Sequence, residues 1–225
     1  MTRARREHQR AAAFFDLDGT LIEKNSATLW MAAERRAGRL GRRLALEGAF
    51  YVLLYRFRSV DMLRLSRKAL ETIRGLTEET LRARTREWFR RDVMRHAAPG
   101  ARRAVAWHRE RGDRLVLLTS ASVYAGEAAV EAFGLDDLIA TRYEVAGGRF
   151  TGEPLTPLCY GAGKVTLAER WAEREGVDLD ASTFYSDSFT DAPMLERVGH
   201  PRVVNPDLRL RLKARLRGWP VEDWS

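Results

Sequence analysis

The chain has 225 residues, of which 45% are hydrophobic and 31% charged, with a formal net charge of +8. That length and composition suit one sizeable α/β core with a smaller accessory unit, and they exclude a largely disordered chain. The single cysteine, Cys159, excludes an intramolecular disulfide and a cysteine-based zinc site, and fits a reducing cytoplasm.

The basic start MTRARREHQR is followed by only AAAFF before Asp16 interrupts it, too short for a secretory signal. The run from Ala11 to Phe15 reads instead as a buried strand that delivers DLDGT at its carboxyl end. From about Ser26 to Met94 the pattern is helical throughout, rich in Leu, Ala and Arg, and predicts an inserted helical domain over 26–94.

Within it, Leu44 to Arg58 carries an apolar centre flanked by Arg42, Arg43, Arg56 and Arg58. This reads as a helix packed against its neighbours, with contact to an anionic membrane surface as the alternative. The uncharged stretch Ala49 to Tyr55 is far below the roughly 18 residues a spanning helix needs.

After the insert, Ala101 to Arg111 predicts a helix closed by Gly112, and Leu115 to Thr119 a second strand leading into SAS. Tyr143 to Gly152 alternates about Gly147 and Gly148, a hairpin signal. A helix from Lys164 to Glu175 ends at Gly176. Strands at Thr183 to Tyr185 and Arg202 to Asn205 follow, the first leading into SDSFTD. The basic run Arg209 to Arg217 reads as a helix with a solvated face. Alternating strand and helix predict an α/β, doubly wound parallel sheet formed by 1–25 and 95–225, with ligands bound beyond the strand ends.

Asp16 and Asp18 stand two apart at a strand end, so one bend can aim both carboxylates into one pocket. One acid can then attack phosphorus while the other protonates the departing alkoxide and activates water. Two carboxylates repel a phosphate dianion, so this chemistry requires a cation, and hard oxygen ligands favour Mg²⁺. Asp187 is expected to bind that metal and Asp191, one helical turn on, to support the site. Ser120, the amides of Ala121 and Ser122, which are expected to open the next helix, and Lys164 after its glycines are expected to receive the phosphoryl oxygens.

In this order the four elements resemble the haloacid dehalogenase superfamily, in its phosphoserine-phosphatase-like branch, over nearly the whole chain. The resemblance implies Asp16 as nucleophile and Asp18 as general acid and base, with the Asp18 backbone carbonyl also on Mg²⁺. It implies Ser120 as the second motif, Lys164 as the third, Asp187 with Asp191 as the fourth, and residues 26–94 as a cap over the site. The branch's phosphoserine enzymes carry an acid nine residues after the nucleophile, where this chain has Asn25. Glu23 and Asn25 are therefore the candidate specificity residues.

The expected function is Mg²⁺-dependent hydrolysis of a small phosphorylated metabolite or a phospholipid headgroup, in the cytoplasm or at the inner face of its membrane. Phosphoserine phosphatase proper is the runner-up. A basic nucleic-acid-binding module and a silent regulatory domain are disfavoured. No reading motif accompanies the charge, and a silent domain has little use for Asp18. The four histidines lack mutual metal-ligand spacing, and Cys159 reads as an apolar filler.

Overall fold

A computed structural model describes residues 10–41 and 61–224. In chain order it has β1 (Ala12–Phe15), α1 (Ser26–Arg36), α2 (Met62–Leu70), α3 (Glu78–Trp88), α4 (Pro99–Glu110), β2 (Arg114–Ser122) and α5 (Val123–Phe133). There follow β3 (Asp137–Thr141), β4 (Tyr143–Ala146), β5 (Arg149–Pro154), α6 (Ala162–Glu175), β6 (Thr183–Ser186), α7 (Ala192–Arg197), β7 (His200–Val204), α8 (Leu208–Arg217) and β8 (Val221–Glu222).

Six strands form one sheet in the order β3-β2-β1-β6-β7-β8, every adjacent pair parallel. The expected doubly wound sheet is present, with two strands the sequence did not signal. β3 has only Leu138, Ile139 and Ala140 between polar ends, and β8 is two residues long. β1 lies in the interior, its four residues buried on both faces. Side-chain alternation sorts the core: Ala13 and Phe15 join Leu115, Leu117 and Tyr185 on one face, beneath α4 and α5. Ala12 and Phe14 join Val116, Leu118 and Phe184 on the other, beneath α6, α7 and α8.

Between β1 and α4 the described residues form helices and turns with no strand of the main sheet. The Leu44 to Arg58 stretch lies wholly outside the described residues. The predicted hairpin is present as β4 and β5, antiparallel about Gly147 and Gly148, whose φ of 56° and 74° suit the tight turn. It packs on the helical segment, where Leu81, Tyr124 and Phe150 are buried together against Trp30, Ile73 and Leu76.

Candidate active site

β1 ends at Phe15, and the Asp16 amide donates to the Tyr185 carbonyl (3.0 Å), holding the start of the exit bend beside β6. Asp16, Asp18, Ser120, Ala121 and Asp187, contributed by the ends of β1, β2 and β6, line one cavity of about 1620 Å³ with Glu23 and Asn25. Parallel strands start their carboxyl ends on one side, which is why motifs far apart in sequence meet there.

Lys164 is buried and donates to Asp16 Oδ1 (2.9 Å) and Asp191 Oδ2 (2.7 Å). Asp191 also accepts from Ser186 Oγ (2.8 Å). Its carboxylate therefore orients the lysine that touches Asp16. The glycines before Lys164 are shaped by packing: Gly161 has a φ of 52°, and a Cβ on Gly163 would lie 2.0 Å from the Leu158 carbonyl oxygen.

Asp18 is held by a ring of donors: the Ser26 amide (2.8 Å), Ser26 Oγ (3.1 Å) and Asn25 Nδ2 (3.2 Å). Asn25 at the same time caps α1, accepting from the Thr28 amide (3.1 Å). Its amide is thus committed at both ends, to the helix and to Asp18. Glu23 lines the cavity with its side chain exposed, its own amide donating to the His96 carbonyl (2.9 Å).

At Ser120 and Ala121 the structure corrects one expectation. β2 runs on through Ser122, and α5 opens only at Val123, with Ser122 Oγ accepting from the Ala125 amide (3.2 Å). The Ala121 amide donates to Thr119 Oγ1 (3.1 Å). The amides of Ala121 and Ser122 therefore do not open the helix. Ser120 remains at the cavity wall.

Burial dominates the electrostatics. It lifts the Asp16 carboxyl to about 7 against the lowering pull of Lys164, and Asp191 and Asp18 push it the same way as burial. Burial raises Asp18 to about 6, opposed by the two Ser26 hydrogen bonds. Asp187 is held well above the usual carboxylate range by burial and by the charges of Asp16, Asp191 and Asp18. Burial alone would lower Lys164, but Asp16 and Asp191 outweigh it and keep the ammonium charged.

Among the described residues no three His, Cys, Asp or Glu side chains are grouped closely enough to hold a metal by themselves. The donor set nevertheless fits a hard cation. Asp187 Oδ1 is buried with no hydrogen-bond partner, and four clustered aspartates face one lysine. Gly19 brings the chain against this carboxylate: its φ is 75°, and a Cβ there would lie 2.2 Å from Asp187 Oδ2.

Several participants carried no sequence signal. Ser26 and Ser186 are single serines without periodicity. Beneath the site, buried His108 bridges Asp113 (Nδ1 to Oδ2, 2.7 Å) and the Tyr185 hydroxyl (3.0 Å), a packing role. Cys159 is buried among apolar side chains as expected, its thiol pushed up to about 12 by burial.

Residues 13–196 match the haloacid dehalogenase-like hydrolase family, a span that takes in Asp16, Asp18, Ser120, Lys164, Asp187 and Asp191. The chain belongs to that family. A probable phosphatase of Mycobacterium tuberculosis (strain ATCC 25618 / H37Rv) is 34% identical over 96% of this chain and 76% of its own length. A phosphoserine phosphatase of the same strain is 32% identical over 95% and 71%. A solved structure of a protein with unknown function from Bordetella pertussis Tohama I superposes with a TM-score of 0.88 at 30% identity, covering 96% of this chain and all of that one. Membership in this family makes the chain a hydrolase, and the relatives' names agree with the phosphatase expected from the four motifs.

Proposed function

We propose that this hydrolase is a phosphomonoesterase in which Asp16 takes up the phosphoryl group as an aspartyl phosphate. The observation that carries the reading is the division between its two acids. Asp16 is held by the buried cation of Lys164, whereas Asp18 is held by Ser26 and Asn25 with its carboxyl lifted to about 6. An acid poised near neutrality can give a proton and then take one back.

An oxygen of Asp16 attacks phosphorus as the bond to the ester oxygen breaks. Protonated Asp18 gives its proton to that leaving oxygen, releasing the alcohol. Asp18, now a carboxylate, accepts a proton from water as the water oxygen attacks the phosphorus of the aspartyl phosphate, which frees Asp16 and inorganic phosphate. Ser120 and Lys164 receive phosphoryl oxygens, and Asp191 with Ser186 keeps the ammonium aimed at Asp16. The carboxylates of Asp16 and Asp187 and the Asp18 backbone carbonyl would hold Mg²⁺. When bound, it supplies the positive charge that lets a phosphate dianion approach these acids.

Residues 26–94 serve as a cap, a reading supported by Met62 and Leu65 of α2 lining the same cavity as Asp16. The substrate class is a phosphomonoester other than phosphoserine, either a small phosphorylated metabolite or a phospholipid headgroup. Asn25 offers no charge to an ammonium, and its amide is already engaged by Asp18 and Thr28.

The test is phosphate release from p-nitrophenyl phosphate by the wild type and Asp16→Asn. Turnover should require Mg²⁺, cease on chelation and vanish in a folded Asp16→Asn protein; appreciable turnover by that variant would overturn the covalent route.

A further inference from the structure

The basic run at 209–217 has the solvated face expected of it, but leucines share that face with the arginines. In α8, Leu210 and Ala214 are fully buried against the sheet, whereas Leu208, Leu212 and Leu216 are 80%, 65% and 87% exposed. At 3.6 residues per turn these three leucines, four apart, form one stripe on the outward side of the helix. Arg211 and Arg215 lie along one flank of the stripe, Arg209 and Lys213 along the other.

Leaving three leucines in water on a helix whose inner face is already satisfied calls for an apolar partner. The flanking charges say what else that partner carries. Arg211 and Arg215 form no ion pair with a described residue, and the Arg209 guanidinium stacks over Phe189 at 4.1 Å. Lys213 and Arg217 pair with Glu196 at 2.8 and 3.1 Å. A second copy of a chain of net charge +8 would bring like charges together, and a nucleic acid would leave the leucines in water. An anionic lipid interface satisfies both the stripe and its flanks.

The position of the helix links this face to the catalytic pocket. Arg209, Arg211, Leu212 and Arg215 line the cavity that holds Asp16. Asp207, which caps α8, ties it to the catalytic loop: its amide donates to the Asp187 carbonyl (2.9 Å) and its carboxylate accepts from the Phe189 amide (2.9 Å). A surface that receives the stripe therefore lies beside the mouth of the site.

We propose that the exposed face of α8 docks on an anionic lipid surface and sets the pocket mouth against it, so that phosphomonoester headgroups in that surface reach Asp16. The second half of this statement rests on the phosphatase reading; the docking half does not.

The experiment uses the whole chain and vesicles of phosphatidylcholine, with or without phosphatidylglycerol. The wild type should float with the anionic vesicles at low salt, and lose them in 1 M salt, where screening reaches about 3 Å. It should ignore the neutral ones. Leu208→Ser/Leu216→Ser, whose side chains lie outside both the core and the cavity lining, should float roughly tenfold less or worse. The same variant should keep p-nitrophenyl phosphate turnover but release phosphate more slowly from a phosphomonoester lipid carried in the anionic vesicles.

Wild type that stays in solution at low salt, or a variant that floats equally well, would overturn the docking. So would lipid-free self-association lost in the variant, because it would give the stripe to a second copy. Equal release from vesicle-borne substrate by both proteins would overturn the link to the pocket. Absence of p-nitrophenyl phosphate turnover in both would count against the phosphatase reading alone, since flotation is read without turnover.

Discussion

Replacing Gly19 by alanine separates the two demands this position meets. The backbone there has a φ of 75°, where an L side chain costs about 1–2 kcal/mol. The new Cβ would also sit 2.2 Å from Asp187 Oδ2 and 2.4 Å from its Cγ. To restore van der Waals contact the carboxylate must retreat by about 1 Å. If that oxygen binds Mg²⁺ as proposed, such a displacement costs on the order of 100-fold in rate.

Gly38 supplies the control, because its φ is 70° but nothing lies within 4 Å of a Cβ placed there. Both variants should melt lower by roughly 2–8 °C, as about 1–2 kcal/mol does in a chain of this size. Only Gly19→Ala should lose turnover, about 100-fold in kcat/KM with p-nitrophenyl phosphate, and it should need more Mg²⁺. Turnover within about threefold of wild type in a folded Gly19→Ala protein would refute the contact argument.

Lys164→Met leaves two buried carboxylates without their shared cation, and should destabilise the fold by about 3–5 kcal/mol at pH 7.5 in a denaturant titration. The deficit should shrink toward pH 5.5, since Asp16, raised to about 7, takes up a proton there in either protein. Ser26→Ala removes a hydrogen bond that favours the Asp18 carboxylate, so the limb of the kcat/KM profile belonging to Asp18 should move to higher pH. Burial lowers the His108 imidazole below its usual 6.5. As pH falls through 6.5 the unfolded chain gains a proton that the folded one refuses, and stability is lost. The advantage of wild type over His108→Gln in urea should therefore narrow between pH 7 and pH 5.

The residues proposed for catalysis could be read from sequence because each follows a short apolar run or opens a helix after glycines, and parallel strands bring such ends together. Asp16, Asp18, Ser120, Lys164 and Asp187 all read that way. The polar supports were not legible. Ser26 and Ser186 act through single hydrogen bonds, and no pattern distinguishes such serines from solvated ones. Asn25 was read only as a missing acid, yet the structure gives it work as a helix cap and as a donor to Asp18. β3 went unseen because three apolar residues between two acids and a polar threonine resemble a turn. In α8 the five Arg and Lys residues masked the leucines, whose four-residue spacing becomes informative only once Leu210 and Ala214 are known to face inward.

The placement of β1 governs when this chain can become an enzyme. The strand that carries Asp16 is among the first made, but its two neighbours pair through Leu115 and Thr183. The contact of Asp16 with Lys164 spans 148 positions. A nascent chain must therefore emerge past residue 186 before β1 gains its second neighbour and the aspartates share a pocket, and loop closure over such separations is slow. During synthesis the apolar AAFF segment waits as an open edge for most of the elongation time, a period in which it needs shielding from other chains.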